Sequence, residues 1–95
     1  MERQNQIKIN EEIGKIFKQM NDEKRKKFRY DNFIITYDIE FFYERVLITT
    51  NINWIRILWL KKIQKILRKY NYVKFAIGCD INKNIYVESK EGKRD

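Results

Sequence analysis

The segment Tyr72-Val-Lys-Phe-Ala-Ile-Gly-Cys-Asp-Ile-Asn-Lys-Asn-Ile-Tyr-Val-Glu-Ser89 decides the fold class. Val73, Phe75, Ile77 and Cys79 alternate with Tyr72, Lys74, Ala76 and Gly78, the period of two that sends successive side chains to opposite faces of a strand. Asn82-Lys83-Asn84 suits a three-residue hairpin loop, with Asn84 in the left-handed conformation that asparagine tolerates. That loop pairs Cys79 with Val87 and Ile81 with Ile85, which sets the apolar side chains of both strands on one face and Tyr72 and Tyr86 on the other.

Immediately upstream, the period changes to that of a helix from Trp54 to Tyr70, with Asn53 as a candidate N-cap. Ile55, Trp59, Ile63, Ile66, Leu67 and Tyr70 form its apolar stripe, and Phe75, Ile77, Val87, Ile63 and Ile66 are expected to share one core. Farther upstream, Phe33–Thr50 is rich in β-branched and aromatic residues and reads as a second hairpin. A register pairing Tyr37 with Val46 and Ile35 with Ile48 completes its apolar face and sets Asp38 opposite Arg45. The N-terminal part reads as a helix capped at Asn10, with Ile9, Ile13, Ile16, Phe17 and Met20 on one stripe. Beyond Met20 the stripe positions become Lys24 and Lys27, so 21–29 reads as a solvated extension or a turn, with Asp22–Lys26 and Glu23–Lys27 pairs available to keep it helical.

The order α-β-β-α-β-β predicts an α+β fold in which a four-stranded antiparallel sheet carries both helices on one face. With 95 residues the chain makes one domain, its core over about 7–89 and a flexible tail at 90–95. The single cysteine, Cys79, cannot form an internal disulfide, which suits a reducing compartment and hence the cytoplasm. The first residues lack the apolar run of a signal peptide, and the most apolar stretch, 54–60, is interrupted by Arg56 and too short to span a bilayer.

Charge is the main functional signal. Residues 1–50 carry ten Lys/Arg against nine Asp/Glu, whereas 51–95 carry eleven against four, and most of the net +8 lies in the second half. Lys61, Lys62, Lys65, Arg68 and Lys69 cover one arc of the 54–70 helix, and no acid occurs in that segment. Cations so placed repel one another and gain from phosphate neighbours, which points to nucleic acid. Equally, an acidic protein surface could neutralise them. Trp54, Ile57 and Leu58 crowd the polar side at the start of the helix, so either the preceding strand runs on and the helix starts late, or the N-terminal segment, a second copy or another protein covers them. The two resulting readings are a basic nucleic-acid-binding module and a small inhibitor or adaptor acting on larger nucleic-acid machinery. A viral or mobile-element origin suits either.

Catalysis has little to draw on. The chain has no histidine, its three glycines form no phosphate loop, and Cys79 is expected on the core face. Asp80, Glu88 and Lys90, placed on one face by the expected register, resemble the Asp…Glu-x-Lys motif of the restriction-nuclease-like family. The resemblance implies Mg²⁺ binding and water activation. It is confined to those three positions, and the chain stops five residues after the lysine, where that family continues with a helix and a strand. The expectation is therefore a binding protein without a catalytic centre, metal or cofactor.

Overall fold

A computed structural model describes residues 3–92. Two helices and four strands follow in the expected order: α1 (Arg3–Lys27), β1 (Tyr37–Phe42), β2 (Arg45–Thr50), α2 (Ile57–Lys69), β3 (Tyr72–Cys79) and β4 (Ile85–Glu91). The strands form one antiparallel sheet in the order β1-β2-β4-β3. A single core joins Ile9, Ile13, Phe17 and Met20 of α1 to Trp59, Ile63 and Leu67 of α2 and to Val46, Ile48 and Val87 of the sheet.

Both helices differ from their expected bounds. Asn10 lies inside α1 and accepts a hydrogen bond from the Tyr37 hydroxyl at 3.4 Å, where an N-cap was expected. The helix also continues through the basic run, because Lys24–Lys27 in its last turn complement the negative end of the helix dipole. Glu23 pairs with Lys27 as expected, but Asp22 pairs with Arg25. At α2 the expected cap Asn53 is bypassed and Arg56 takes the N-cap position without a side-chain cap bond. The reason lies in Ile52, which is buried and whose carbonyl accepts the Ile85 N–H at 2.8 Å. The chain is still tied to the start of β4 there, so it cannot turn into a helix until four residues later.

The first hairpin begins later and pairs in a different register. Tyr37 lies opposite Thr50 and Ile39 opposite Ile48, a displacement of four from the expected pairing, and Asp38 therefore faces Thr49. Side-chain amides explain the late start. Asn21 donates to the Ile35 carbonyl at 2.9 Å and accepts from its N–H at 2.8 Å. Asn51 does the same for Ile34 and Thr36, at 2.8 and 2.9 Å. These backbone groups are already satisfied and need no strand partner. At the other end Tyr43 adopts a left-handed φ of 53°, which closes a turn of two residues and extends the ladder to Phe42 and Arg45. A shift of four keeps the parity of the strand, so Tyr37, Ile39 and Phe41 still pack toward the core.

The second hairpin corrects several expectations. Asp80 organises its loop: one carboxylate oxygen accepts the N–H of Asn82 and of Asn84, at 2.8 and 2.9 Å. Lys83, not Asn84, is left-handed, and Cys79 pairs with Ile85 and Ile77 with Val87, two positions from the expected register. A bulge between Val73 and Ala76, with Lys74 at φ 59°, reverses the facing of the strand. Tyr72 is therefore fully buried and not on the outer face. Ser89, also buried, donates to the Val73 carbonyl beside the bulge at 2.7 Å. Of the expected shared core, Val87 and Ile63 are buried and Phe75 and Ile66 pack at its margin, but Ile77 is 46% exposed. Cys79 is exposed as well, because β3 is an edge strand and its last residues run past the helical cover. β4 continues through Lys90 and Glu91, beyond the expected end at 89, and residues 93–95 of the expected tail lie outside the described residues.

Candidate functional site

The two helices run antiparallel and are clasped at both ends. Near the C-terminal end of α2, one Glu12 oxygen lies 2.8 Å from Lys69 Nζ and the other accepts the Tyr70 hydroxyl at 2.5 Å. At the opposite end Arg56 binds Glu23. Glu12 is held below the usual carboxylate range by the hydrogen bonds from Lys69 and Tyr70, with smaller help from the charge of Lys15. Lys69 and Tyr70 are both raised, chiefly by the same bonds.

This clasp divides the five cations singled out on α2. Lys69 is committed to Glu12. Lys61, Lys65 and Arg68 are exposed, and none has a carboxylate partner among the described residues. Lys62 is half-buried, with its ammonium 4.8 Å from the centre of the Trp59 ring. The Arg68 guanidinium lies over the Phe75 ring, its central carbon 5.1 Å from the ring centre, although the residue stays exposed. Lys15, exposed and three residues after Glu12 on α1, stands beside the same clasp, which brings it near the α2 surface. Sequence reasoning missed Lys15, since nothing local to α1 says which of its faces will meet α2.

Trp54, Ile57 and Leu58 remain at the surface, 71%, 69% and 49% exposed. Trp54 precedes the helix, which removes the conflict seen in the sequence between that side chain and the polar arc. Ile57 heads the row Lys61, Gln64, Arg68, and Leu58 heads the row Lys62, Lys65, Lys69, the neighbours set by three- and four-residue spacing. Beside them lies an apolar pocket of about 310 Å³, between the end of α1 and the chain connections at 28–35 and 52–56. Phe28, Phe33, Trp54 and Trp59 line it, and Lys24, Lys27 and Arg56 stand at its rim with Glu23 and Asp31. Lys24 binds Asp31 at 2.9 Å, and Asp31 is lowered first by the Phe33 N–H and then by Lys24.

Asp80, Glu88 and Lys90 do not come together as a cluster. Asp80 is occupied by its loop, and Glu88 binds Arg45 at 3.3 Å. Glu88 is level with Ala76, four residues before Asp80 on the neighbouring strand, which is about 13 Å at the usual rise per residue. Among the described residues no group of three or more His, Cys, Asp or Glu is arranged to hold a metal ion. Among the described residues no helix is long and apolar enough to cross a membrane. Compared with protein-family models, with curated proteins and with solved structures, the chain gives no match in any of the three.

Proposed function

We propose that the chain is a nucleic-acid-binding module whose α2 surface grips phosphates through Lys61, Lys65 and Arg68, with Lys62 and Lys15 beside them. The observation that carries this reading is a helix with five cations and no acid, of which, among the described residues, only Lys69 has a carboxylate partner. Unpaired cations at this spacing repel one another, and each phosphate they meet releases a counterion and adds salt-dependent affinity. The module acts by binding alone, since the carboxylates closest to a catalytic pattern are engaged in a turn and an ion pair. A lone exposed cysteine suits the reducing cytoplasm.

A second reading has its own support. The exposure of Trp54, Ile57 and Leu58 favours a small inhibitor or adaptor that meets an acidic protein surface. Mobility shifts on duplex and single-stranded DNA and on RNA across a salt series separate the two. On the first reading, affinity falls steeply with salt, and neutralising two of Lys61, Lys65 and Arg68 flattens the log–log slope by about 2. Binding weaker than about 10⁻⁴ M to every nucleic acid would end that reading and favour the second.

A further inference from the structure

The pocket beside the start of α2 combines features that the phosphate reading leaves unexplained. Phe28 and Trp54 flank it and are largely exposed, and Phe33, about half exposed, carries the Lys24 ammonium 5.1 Å from its ring centre. Exposed aromatic faces grouped around an apolar hollow mark a place where another surface docks. The rim supplies Lys24, Lys27 and Arg56, and Arg56 is the N-cap residue of α2. The ion pairs of Lys27 and Arg56 with Glu23 lie at the surface, where such pairs are worth little, whereas Lys24 is mostly covered and held by both Asp31 and the Phe33 carbonyl. Lys26 and Arg29, in the same basic run, have no carboxylate partner among the described residues.

We propose that this pocket takes an unpaired nucleobase, so that the strand gripped by α2 is single-stranded. The inference rests on the nucleic-acid reading above and adds to it the form of the ligand. The occupant must be apolar and flat enough to lie against aromatic rings, and it must be joined to negative charge that the rim and α2 can meet. An unpaired nucleotide has both properties, whereas bases in a duplex are already stacked and cannot enter. A second copy of the chain is disfavoured by charge complementarity, because each carries +8. Stacking of this kind needs few polar lining groups and tolerates any base, in keeping with a wall made mostly of aromatic and aliphatic side chains.

The test compares oligothymidylate, oligouridylate and a mixed-sequence duplex by fluorescence anisotropy on the wild type, Trp54→Ala and Trp54→Phe. Trp54 is mostly exposed, so its removal leaves the fold intact. Trp54→Ala should weaken single-strand binding by about 5- to 100-fold, with duplex binding and the salt slope unchanged, and Trp54→Phe should restore most of the loss. In a Trp59→Phe background, where Trp54 is the only tryptophan, its emission should be quenched by oligothymidylate and not by the duplex. Equal affinity of wild type and Trp54→Ala for single strands would overturn the base pocket while leaving phosphate binding by α2 in place. Absence of binding to any of the three probes would overturn both. Quenching by a phenylalanine-bearing polyglutamate peptide, with none by the oligonucleotides, would overturn the base pocket in favour of a protein ligand.

Discussion

The Tyr70 hydroxyl at the end of α2 donates to the Glu12 carboxylate of α1 across 2.5 Å, and Lys69 holds the other oxygen of the same group. One acid thereby joins the two helices and withdraws one of the five α2 cations from the surface. The bond also makes Glu12 a point at which acid should loosen the helix pair. Its pKa is lowered in the fold, so its contribution is complete above the ordinary glutamate range and is lost as pH falls through the lowered value. Lys69 and Tyr70 are raised, so their share is complete at neutral pH and is lost as pH rises through the alkaline range. Glu12→Gln should cost about 1 kcal/mol or less at pH 7 and blunt the loss of stability near pH 4, as read from urea denaturation at both pH values.

Gly14 and Tyr37 set up a second test. A Cβ added at Gly14 would stand 2.9 Å from the Tyr37 hydroxyl oxygen and 3.9 Å from the ring carbon that carries it, so the hydroxyl alone is too close. That ring stacks on Phe17 with centroids 4.5 Å apart, which leaves it little freedom to move aside. Gly14→Ala should therefore fail to stabilise the wild type. In a Tyr37→Phe background the same change should recover the helix propensity of alanine, about 0.8–1 kcal/mol. A double-mutant cycle by thermal melting measures the difference, and a Gly14→Ala gain of equal size in both backgrounds would remove the clash.

Tyr72 should govern alkaline unfolding. Burial first, and then the charge of Glu91, push its pKa up to about 12. The phenol is thus harder to ionise in the folded chain than in the unfolded one, and stability present below about pH 10 should drain away as pH rises toward 12. Tyr72→Phe should flatten that loss in denaturant titrations at pH 9 and pH 11. Tyr72→Ala should cost about 3–5 kcal/mol at pH 7, since it empties a fully buried aromatic site.

The unpartnered cations of α2 should betray themselves in stability as well as in binding. Replacing Lys61 or Lys65 with glutamine removes a repulsion and breaks no ion pair among the described residues, so each should raise stability by about 0.2–0.5 kcal/mol at low salt. The gain should vanish in 1 M salt, where the screening length is about 3 Å. Lys69→Gln should do the reverse, because it breaks the clasp with Glu12. Calorimetric melting temperatures at two salt concentrations distinguish the three variants.

The kind and order of the elements were legible in the chain itself. Ile9, Ile13, Ile16, Phe17 and Met20 are buried as their spacing demands, as are Trp59, Ile63 and Leu67. Alternation in Phe33–Thr50 and Tyr72–Ser89 marked both hairpins, and the α2 cations stood out by the absence of acids. All of these are local periodicities, set by the geometry of one helix or strand, and they need no knowledge of what lies across the fold.

Register, helix start and the pairing of charges were decided only by tertiary structure. Asn21 takes over the backbone of Ile35 and thereby delays β1, a choice between hydrogen-bond partners fourteen residues apart. Ile52 is held to Ile85 and so postpones α2, while the left-handed Lys74 turns Tyr72 inward against the alternation of its own strand. Lys69 and Lys65 are alike in sequence, yet one meets Glu12, fifty-seven residues away, and the other meets solvent. Each outcome settles a competition for one partner among groups far apart in the chain. A pattern read along the chain cannot see that competition, because the energies of the rival arrangements differ by no more than a hydrogen bond or two, about 1 kcal/mol each.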